Sequence, residues 1–485
     1  MNLRLVSAIL GYLTLACGAA MLPPLLLAGF LNESAAASFL LSMLLCLGVA
    51  FELERYGAVT DQDNLSVREG IAITGLGWLL VSLLGMFPYF TGGYLNLLDS
   101  IVESVSGFSG TGATVIEDVE ILPKSILLWR SLSNWVGGLG IIVIFMAILP
   151  SAGRGAVYMF RAESTGPTHE RQMPHIRDNA KALFRVYVVF TAVCAIAYWL
   201  CGLSPFPAVN HAMTTIATGG YSIYNGAVMD YGNLWLEGCM SFFMVLSSGS
   251  FAMYVMTWRH GWGGILRNTE FRAYLWIIAV AAVMISIDLI VEMKMDVVSA
   301  LRYSVFQVAS LSSTTGFVSY DFDTWPPLAK GLLMMTMFLG GCAGSTAGGL
   351  KVSRIVLLFR MVLSIVWQKV HPQAMKPVKM NGQPVPDDVL YGVARFFFAY
   401  VMLDVLFALV MLLDGIDLID AVSVSISTMG SVGPGFGIEG ATSTYALLPD
   451  FSRACASIFM FLARLEIFTV IAMLTPEFWS REKGW

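Results

Sequence analysis

Hydrophobic runs long enough to cross a membrane recur along the whole chain. About 20 consecutive apolar residues are needed to span the hydrocarbon core as a helix. Ten such runs lie near 3–30, 35–51, 70–91, 123–149, 181–202, 232–257, 272–291, 328–368 (interrupted), 388–413 and 449–474. This pattern predicts an all-α polytopic membrane protein.

Four shorter apolar segments lie between some of these runs, near 97–109, 206–217, 298–313 and 419–430. A helix rises about 1.5 Å per residue, so about 12 residues cannot cross about 30 Å of hydrocarbon. We therefore expect these segments to be re-entrant half-helices that enter the membrane and stop partway.

A glycine motif follows each short segment. The four motifs are GTGATV at 110–115, ATGGYS at 217–222, TTGFVS at 314–319 and SVGPGF at 431–436. We align them on Gly112, Gly219, Gly316 and Gly433. The repeating unit is then span, half-helix, glycine loop and span. It occurs four times, after two additional N-terminal spans.

Such a unit is suited to holding a cation. The C-terminal end of a half-helix that enters from outside carries partial negative charge. Glycine tolerates positive φ, which lets successive carbonyl groups turn in one direction. Four loops around one axis would form a ring of carbonyl oxygens that replaces the water around a monovalent ion.

Composition and charge agree with a membrane protein and give its orientation. Hydrophobic residues make up 57% of the chain and charged residues 13%, with a mean hydropathy of +0.72. Basic residues concentrate at 151–185, 259–272, 351–379 and the final SREKGW, so we expect these segments and both termini to be cytoplasmic. The first run lacks a signal-peptide pattern, so we expect it to be retained.

Acidic residues collect on the opposite face, where they would attract cations or simply be solvated: Glu117, Asp118, Glu120, Asp230, Asp321, Asp323, Glu439 and Asp450.

The whole chain resembles the Trk/Ktr/HKT superfamily of potassium transporters, and it is most similar to the bacterial TrkH branch. The four glycine loops and the interrupted eighth run carry the resemblance. The resemblance implies four span–pore-helix–span units around one central pore, and backbone carbonyls that bind K⁺. The implied filter residues are Thr111, Gly112, Ala113, Thr218, Gly219, Gly220, Thr315, Gly316, Phe317, Val432, Gly433 and Pro434.

Two further features lie where the pore would be. The sequence GGCAGSTAGG interrupts the eighth run and predicts non-helical backbone at membrane depth, or else close helix packing through small residues. The resemblance implies that it is a gate loop below the filter. Its residues are Gly340, Gly341, Cys342, Ala343, Gly344, Ser345, Thr346, Ala347, Gly348 and Gly349.

Arg464 lies near the middle of the last run. A charge at that depth needs water or a partner. We expect its side chain to enter the pore beneath the filter, as the resemblance implies, and to act as an electrostatic barrier. The alternative is a structural ion pair with Asp404 or Asp288.

Polar residues lie nine positions before three of the aligned glycines. They are Glu103, Asn210 and Gln307, and Val424 stands at the fourth position. Their side chains either brace the filter through hydrogen bonds or are simply polar positions of the half-helices. We interpret the neighbouring His211 as structural.

These boundaries predict the following organisation. Residues 1–69 are the N-terminal pair of spans, and 70–150, 181–257, 272–370 and 388–485 are the four pore units. The cytoplasmic loops are 151–180, 258–271 and 371–387.

The resemblance also implies partners and a location. We expect a homodimer in the bacterial inner membrane and a cytosolic TrkA-like regulatory subunit. Nucleotides (NAD(H), ATP or ADP) would act only through that subunit. The basic segments 151–185 and 351–386 are candidate docking surfaces for it, or else anchors for anionic lipid.

The function predicted from these features is gated K⁺ uptake, with Rb⁺ conducted and only modest selectivity over Na⁺. One alternative is K⁺/H⁺ or K⁺/Na⁺ symport, in which Asp288, Asp404 or Glu466 could carry protons. An intramembrane enzyme is disfavoured because no HExxH motif, aspartate pair or Ser/His pair is recognisable. The seven cysteines show no pairing pattern and are interpreted as small buried hydrophobic residues.

Overall fold

The computed structural model describes residues 1–57, 66–140, 176–261, 264–265, 267–372, 377–465 and 467–479. Within these ranges the chain is mostly helical and has one two-stranded sheet, which confirms the predicted all-α polytopic fold. The N-terminal pair of spans consists of α1 (Leu3–Ala20) with α2 (Leu22–Leu31), and α3 (Ala35–Gly57). The basic segment 151–175 lies outside the described residues.

The four pore units follow in order, each with a first span, a half-helix and a second span. Unit 1 has α4 (Val67–Gly85), α5 (Phe87–Thr91), α6 (Leu97–Ser109) and α7 (Lys124–Leu139). Unit 2 has α8 (Ile176–Leu200), α9 (Pro205–Ile216), α10 (Leu234–Ser247) and α11 (Phe251–His260). Unit 3 has α12 (Thr269–Glu292), α13 (Val297–Ser312), α14 (Pro327–Leu339) and α15 (Val352–Val370). Unit 4 has α16 (Asp387–Leu413), α17 (Leu418–Gly430), α18 (Asp450–Arg464) and α19 (Ile467–Leu474), followed by α20 (Pro476–Trp479).

Spans and half-helices differ in length and in what surrounds them. Six helical segments in the described part are long and apolar enough to cross a membrane, and two bent helix pairs bring the number to eight. The first spans expose large apolar side chains, such as Val193, Ile196 and Trp199 of α8, as expected for a surface that faces lipid. The half-helices are buried along most of their length. The half-helices therefore lie inside a shell of spans.

The second spans of units 2, 3 and 4 are broken at the depth of the half-helix ends. In unit 2, α10 and α11 meet at 89°, and in unit 4, α18 and α19 meet at 112°. The segment between α14 and α15 is the long break predicted at 340–349, while α7 ends at Leu139. The break in unit 2 falls at Ser248–Ser250, where glycine and serine weaken the helix, and the hydrophobic pattern gave no sign of it.

A small antiparallel hairpin lies in the connection between units 3 and 4. Strand β1 (Lys379–Met380) pairs with β2 (Gln383–Pro384), with Lys379 opposite Pro384. The hairpin is held by a hydrophobic cluster that joins it to α15 and α16, formed by Leu357, Val378, Met380, Leu390 and Val393. This connection is therefore a folded element attached to two helices.

Candidate ion-conducting site

The four glycine loops touch one another in a closed circle. A Cβ atom added to the positive-φ glycine of each loop would collide with a backbone carbonyl oxygen of the next loop. These contacts run from Gly112 to Gly219, from Gly220 to Thr315, from Gly316 to Val432 and from Gly433 to Thr111. The four units therefore meet at one shared centre, and only glycine leaves room for the neighbouring carbonyl.

The loops also share one backbone conformation. A left-handed residue follows each half-helix by one or two positions, and a second positive-φ residue lies two positions after it. The pairs are Gly110 and Gly112, Thr218 and Gly220, Thr314 and Gly316, and Ser431 and Gly433. In each loop the intervening residue donates its N–H to a carbonyl five residues earlier, as Gly219 does to Thr214 at 2.9 Å.

This conformation corrects the sequence alignment of the second loop. Gly220, with φ of 65°, is the equivalent of Gly112, so the alignment on Gly219 is wrong by one residue. Gly219 is instead equivalent to Thr111, and Thr218, the left-handed residue after the C-cap Ala217, is equivalent to Gly110. Two adjacent glycines made the register ambiguous in the sequence, and only the backbone angles separate them.

The third carbonyl of a loop is partly used by side chains behind the loop. The Phe317 carbonyl accepts a hydrogen bond from the Ser310 hydroxyl at 2.6 Å, and the Pro434 carbonyl accepts one from Ser427 at 3.2 Å. Ala113 accepts a longer one from Tyr221 at 3.4 Å. In unit 4 the Ser427 hydroxyl also donates to the second carbonyl, that of Gly433, at 2.8 Å. The first carbonyl of each loop is thus better placed to face an ion than the third.

Two of the three predicted braces contact the loops. A carboxylate oxygen of Glu103 accepts the N–H of Val115 at 3.0 Å, and the amide oxygen of Gln307 accepts the N–H of Ser319 at 3.1 Å. Each of these N–H groups lies three residues after its filter glycine. A bond from the half-helix to the loop fixes where the loop carbonyls point.

The other two units are braced differently. Asn210 donates to the Phe206 carbonyl of its own helix at 2.8 Å, so a bracing role for Asn210 is not supported. The corrected register places His211 at that position, buried and 3.2 Å from the Tyr231 hydroxyl. In unit 4 the Ser423 hydroxyl accepts the N–H of Phe436 at 2.6 Å, although Val424 occupies the equivalent position.

Arg130 is the principal residue that sequence reasoning missed. Its Nε atom lies 2.8 Å from Glu103 Oε1, and the two side chains are 2% and 0% exposed. One Nη atom donates to the Ser222 carbonyl and the other to the Thr114 hydroxyl, both at 3.0 Å. The guanidinium also lies 4.2 Å from the centre of the Tyr221 ring. Arg130 thus joins the first and second loops, and a charge inside the run 123–149 was its sequence signal.

The outer segments of the loops are joined between units as well. The four neighbouring pairs of units are each joined by a backbone N–H: Val119 N to Asn225 Oδ1 at 2.9 Å, Val228 N to the Val318 carbonyl at 3.1 Å, Gly437 N to Asp323 Oδ1 at 3.2 Å and Tyr445 N to the Thr114 carbonyl at 2.9 Å. The acidic residues belong to this arrangement. A hydrogen bond from Asn225 lowers the pKa of the Asp118 carboxyl. Glu439 is 1% exposed and lies beside Gly435, so its assignment to a solvated mouth is wrong.

The loop predicted as a gate lies against the inner ends of three half-helices. The Thr346 hydroxyl donates to the carbonyl of Ile216, the last residue of α9, at 3.0 Å. The N–H of Gly348 donates to the Thr314 hydroxyl at 2.8 Å, and a Cβ on Gly348 would collide with the carbonyl of Gly430. The segment is non-helical and lies directly under the loops. Of the two structures that its sequence allowed, this is the non-helical backbone and not continuous helices packed through small residues.

Arg464 lies on the side that the predicted gate loop leaves uncovered. Its Nη2 atom donates to the carbonyls of Gly137 and Gly138, the latter at 3.0 Å, and its guanidinium is 5.1 Å from the Trp78 ring. Gly137 and Gly138 touch the ends of the first and second half-helices, so Arg464 is level with the ends of these two half-helices.

The two carboxylates considered as partners of Arg464 have other contacts. Asp404 accepts the Ser425 hydroxyl at 2.6 Å, and Asp288 accepts the N–H of Ala329 at 3.1 Å in the first turn of α14. Both carboxylates therefore hold helices in place.

Glu466 lies outside the described residues. Among the described residues no group of three metal-binding side chains is present, and the seven cysteines are unpaired.

Comparison with known proteins identifies the family. The family model described as TrkH, a cation transport protein, matches residues 47–480. The chain is 34% identical to the Trk system potassium uptake protein TrkH of Halomonas elongata, over 99% of this chain and 100% of that protein. It is 31% identical to the Trk system potassium uptake protein TrkG of Escherichia coli K12, over 99% of each. The crystal structure of the potassium transporter TrkH from Vibrio parahaemolyticus superimposes with a TM-score of 0.89 at 30% identity, over 99% of this chain and 100% of that one. The chain belongs to the TrkH family of cation transport proteins, and it is a transport protein and not an enzyme.

Proposed function

We propose that this protein takes up K⁺ through a single gated pore whose filter is built by the four glycine loops. The closed circle of contacts between the loops carries the proposal, because it brings backbone carbonyls from all four units to one centre. Oxygens of Thr111, Gly219, Thr315 and Val432, with those of the glycines that follow them, replace the hydration shell of the ion. Rb⁺, which is similar in size, is conducted as well.

The negative ends of the half-helices support a cation below the filter. Each half-helix ends immediately before its loop, so its C-terminal carbonyls add partial negative charge at the same depth. Because each loop contributes few carbonyls, we expect selectivity over Na⁺ to be modest. The names of the full-length relatives, which are potassium uptake proteins, agree with K⁺ as the transported ion.

The gate consists of the loop 340–349 with Arg464 beside it. The loop covers the ends of the second, third and fourth half-helices, and Arg464 covers the remaining side. Ions that leave the filter meet the loop and a positive charge, so both must move before the pore conducts. A TrkA-like cytosolic subunit that senses nucleotides is the regulator we expect to move them, and a homodimer in the bacterial inner membrane with cytoplasmic termini is the expected assembly.

Ion flux into proteoliposomes tests this function directly. Purified protein without a partner should take up ⁸⁶Rb⁺ into K⁺-loaded vesicles at a basal rate, through the fraction of pores whose gate is open, with K⁺ competing and Na⁺ competing less well. A reversal potential that follows the K⁺ gradient alone supports a channel-like pore. A reversal potential that shifts with a pH or Na⁺ gradient would indicate coupled symport instead, and flux that does not depend on K⁺ would overturn the proposal.

A further inference from the structure

The carboxylate of Glu270 bonds to both sides of the gate loop. Glu270 is the second residue of α12 and is buried. Its Oε1 atom accepts the N–H of Ala343, within the loop, at 2.6 Å. The same atom accepts the N–H of Ser353, in the first turn of α15, at 3.1 Å. One oxygen atom thus ties the two sides of the loop together.

Other contacts bring the base of the loop to the same place. The N–H of Val352 donates to the Gly341 carbonyl at 2.9 Å, which closes the loop on itself. Lys351 is also buried, and its positive charge acts on Glu270. Hydrogen bonds to a charged acceptor are about twice as strong as neutral ones, and a buried carboxylate is costly without them. The carboxylate and the loop therefore hold each other in place.

The start of α12 is in turn bound by the cytoplasmic hairpin. The side chain of Asn381, in the exposed turn between β1 and β2, accepts the N–H of Thr269 at 2.8 Å. Thr269 immediately precedes Glu270. A contact path therefore runs from the hairpin turn, through the first two residues of α12, to the gate loop.

We propose that Glu270 is the positioning residue that latches the gate loop under the filter, and that the hairpin 379–384 acts on this latch through Asn381. The proposal rests on the proposed function, because it takes the loop to be the gate. A displacement of the hairpin would move the start of α12 and withdraw the carboxylate from Ala343 and Ser353. The loop would then lose the bonds that hold its base, and the population of open pores would rise.

Two readouts, one of the loop and one of conduction, test the latch. In full-length protein the other cysteines (Cys17, Cys46, Cys194, Cys201, Cys239 and Cys455) are replaced by alanine. The gate-loop Cys342, which is buried, is left as the probe. Variants Glu270→Ala, Glu270→Gln and Asn381→Ala are compared with Glu292→Gln, a matched control at the exposed far end of the same helix. The measurements are the rate of maleimide labelling of Cys342 and ⁸⁶Rb⁺ flux in proteoliposomes.

We expect Glu270→Ala to raise both rates about tenfold, because two charge-assisted hydrogen bonds are lost. Glu270→Gln should raise them less, since its amide oxygen still accepts both N–H groups. Asn381→Ala should also raise both rates, and Glu292→Gln should change neither. This pattern supports the latch.

The remaining outcomes overturn it in distinguishable ways. If neither rate changes in Glu270→Ala, while a deletion within 340–349 raises flux, the gate stands and the latch is wrong. If labelling accelerates and flux does not, Glu270 holds a loop that is not the gate, and the proposed gate fails as well. If Glu270→Ala cannot be purified as a monodisperse protein, the test of the latch uses Glu270→Gln and Asn381→Ala instead. Unchanged labelling in both would overturn the proposal.

Discussion

Arg130 and Glu103 form an ion pair behind the first glycine loop, with 2.8 Å between Nε and Oε1 and both side chains almost completely buried. Glu103 holds the first loop through Val115, and Arg130 extends the same network to the second loop through Ser222. The pair therefore fixes two neighbouring loops relative to each other, and replacing its members separately and together should reveal the coupling.

Arg130→Met should destabilise the protein strongly. The substitution leaves the Glu103 carboxylate buried without its cation, and loss of one partner of a buried pair costs about 3–5 kcal/mol. Thermal unfolding of the detergent-solubilised protein, followed by tryptophan fluorescence, measures the effect. The double variant Arg130→Met with Glu103→Gln should recover part of the loss, because no buried charge remains unpaired. A double variant as unstable as the single one would contradict this explanation.

Gly220→Ala and Gly316→Ser should lower the ratio of K⁺ to Na⁺ permeability. In each case the new side chain would collide with a carbonyl of the next loop and disturb the ring. Bi-ionic reversal potentials in proteoliposomes give the ratio. Gly93→Ala is the matched control, because Gly93 also has a positive φ of 70° but no atom within 4 Å of its added Cβ. An equal change in all three variants would indicate backbone strain and not a filter effect.

Thr346→Val should raise flux in the absence of a regulator. The Thr346 hydroxyl shares its single proton between the carbonyls of Ile216 and Ser247, at 3.0 and 3.3 Å, so its loss removes a bond between the loop and the surrounding helices. Such a bond contributes about 1 kcal/mol, and an increase of about fivefold in ⁸⁶Rb⁺ flux is expected. Ser345→Ala removes a hydroxyl that bonds only within the loop, to Cys342, and should leave flux near the parent level. If Ser345→Ala raised flux more than Thr346→Val, the contact that holds the gate closed would not be the one made by the Thr346 hydroxyl.

Arg464→Ala should raise leak conduction because it removes a positive charge and frees the carbonyls of Gly137 and Gly138. Arg464→Lys separates these two effects. Lysine keeps the charge but lacks the planar fork of donors that can reach two carbonyls together. If the charge alone blocks ions, single-channel conductance of the lysine variant equals that of the parent. If the contact with unit 1 matters, the lysine variant leaks as well.

Glu439→Gln should stabilise the protein increasingly as pH rises. Burial raises the pKa of the Glu439 carboxyl well above its usual range. A raised pKa means that the neutral form is favoured in the folded protein. Stability is therefore complete below the unfolded pKa of about 4.3 and is lost as pH rises through the folded value. The difference in Tm between Glu439→Gln and the parent should be larger at pH 8 than at pH 5. A difference in Tm that does not vary with pH would contradict the conclusion that the Glu439 carboxyl is neutral in the folded protein.

Much of the site could be predicted from local sequence, and the exceptions have identifiable causes. The glycine loops, the interruption at 340–349 and Arg464 all violate the rules for a continuous apolar span, and this made them visible. Arg130 violates the same rule within the run 123–149 but was not singled out. The choice between Gly219 and Gly220 could not be made, because both residues suit a positive φ and the spacing between units varies.

The sequence by itself determined the number of units, their span and half-helix composition and the positions of the non-helical loops. These properties follow from hydrophobic length and from glycine, which act locally along the chain. Only the tertiary structure decided which carbonyl faces which neighbour, that Arg130 joins two loops, and that Glu270 and Arg464 bind backbone groups of other segments. Those contacts join residues far apart in the chain, such as Gly433 with Thr111. No local pattern encodes them, because a buried polar group can be satisfied by any correctly placed partner, and folding alone brings that partner near.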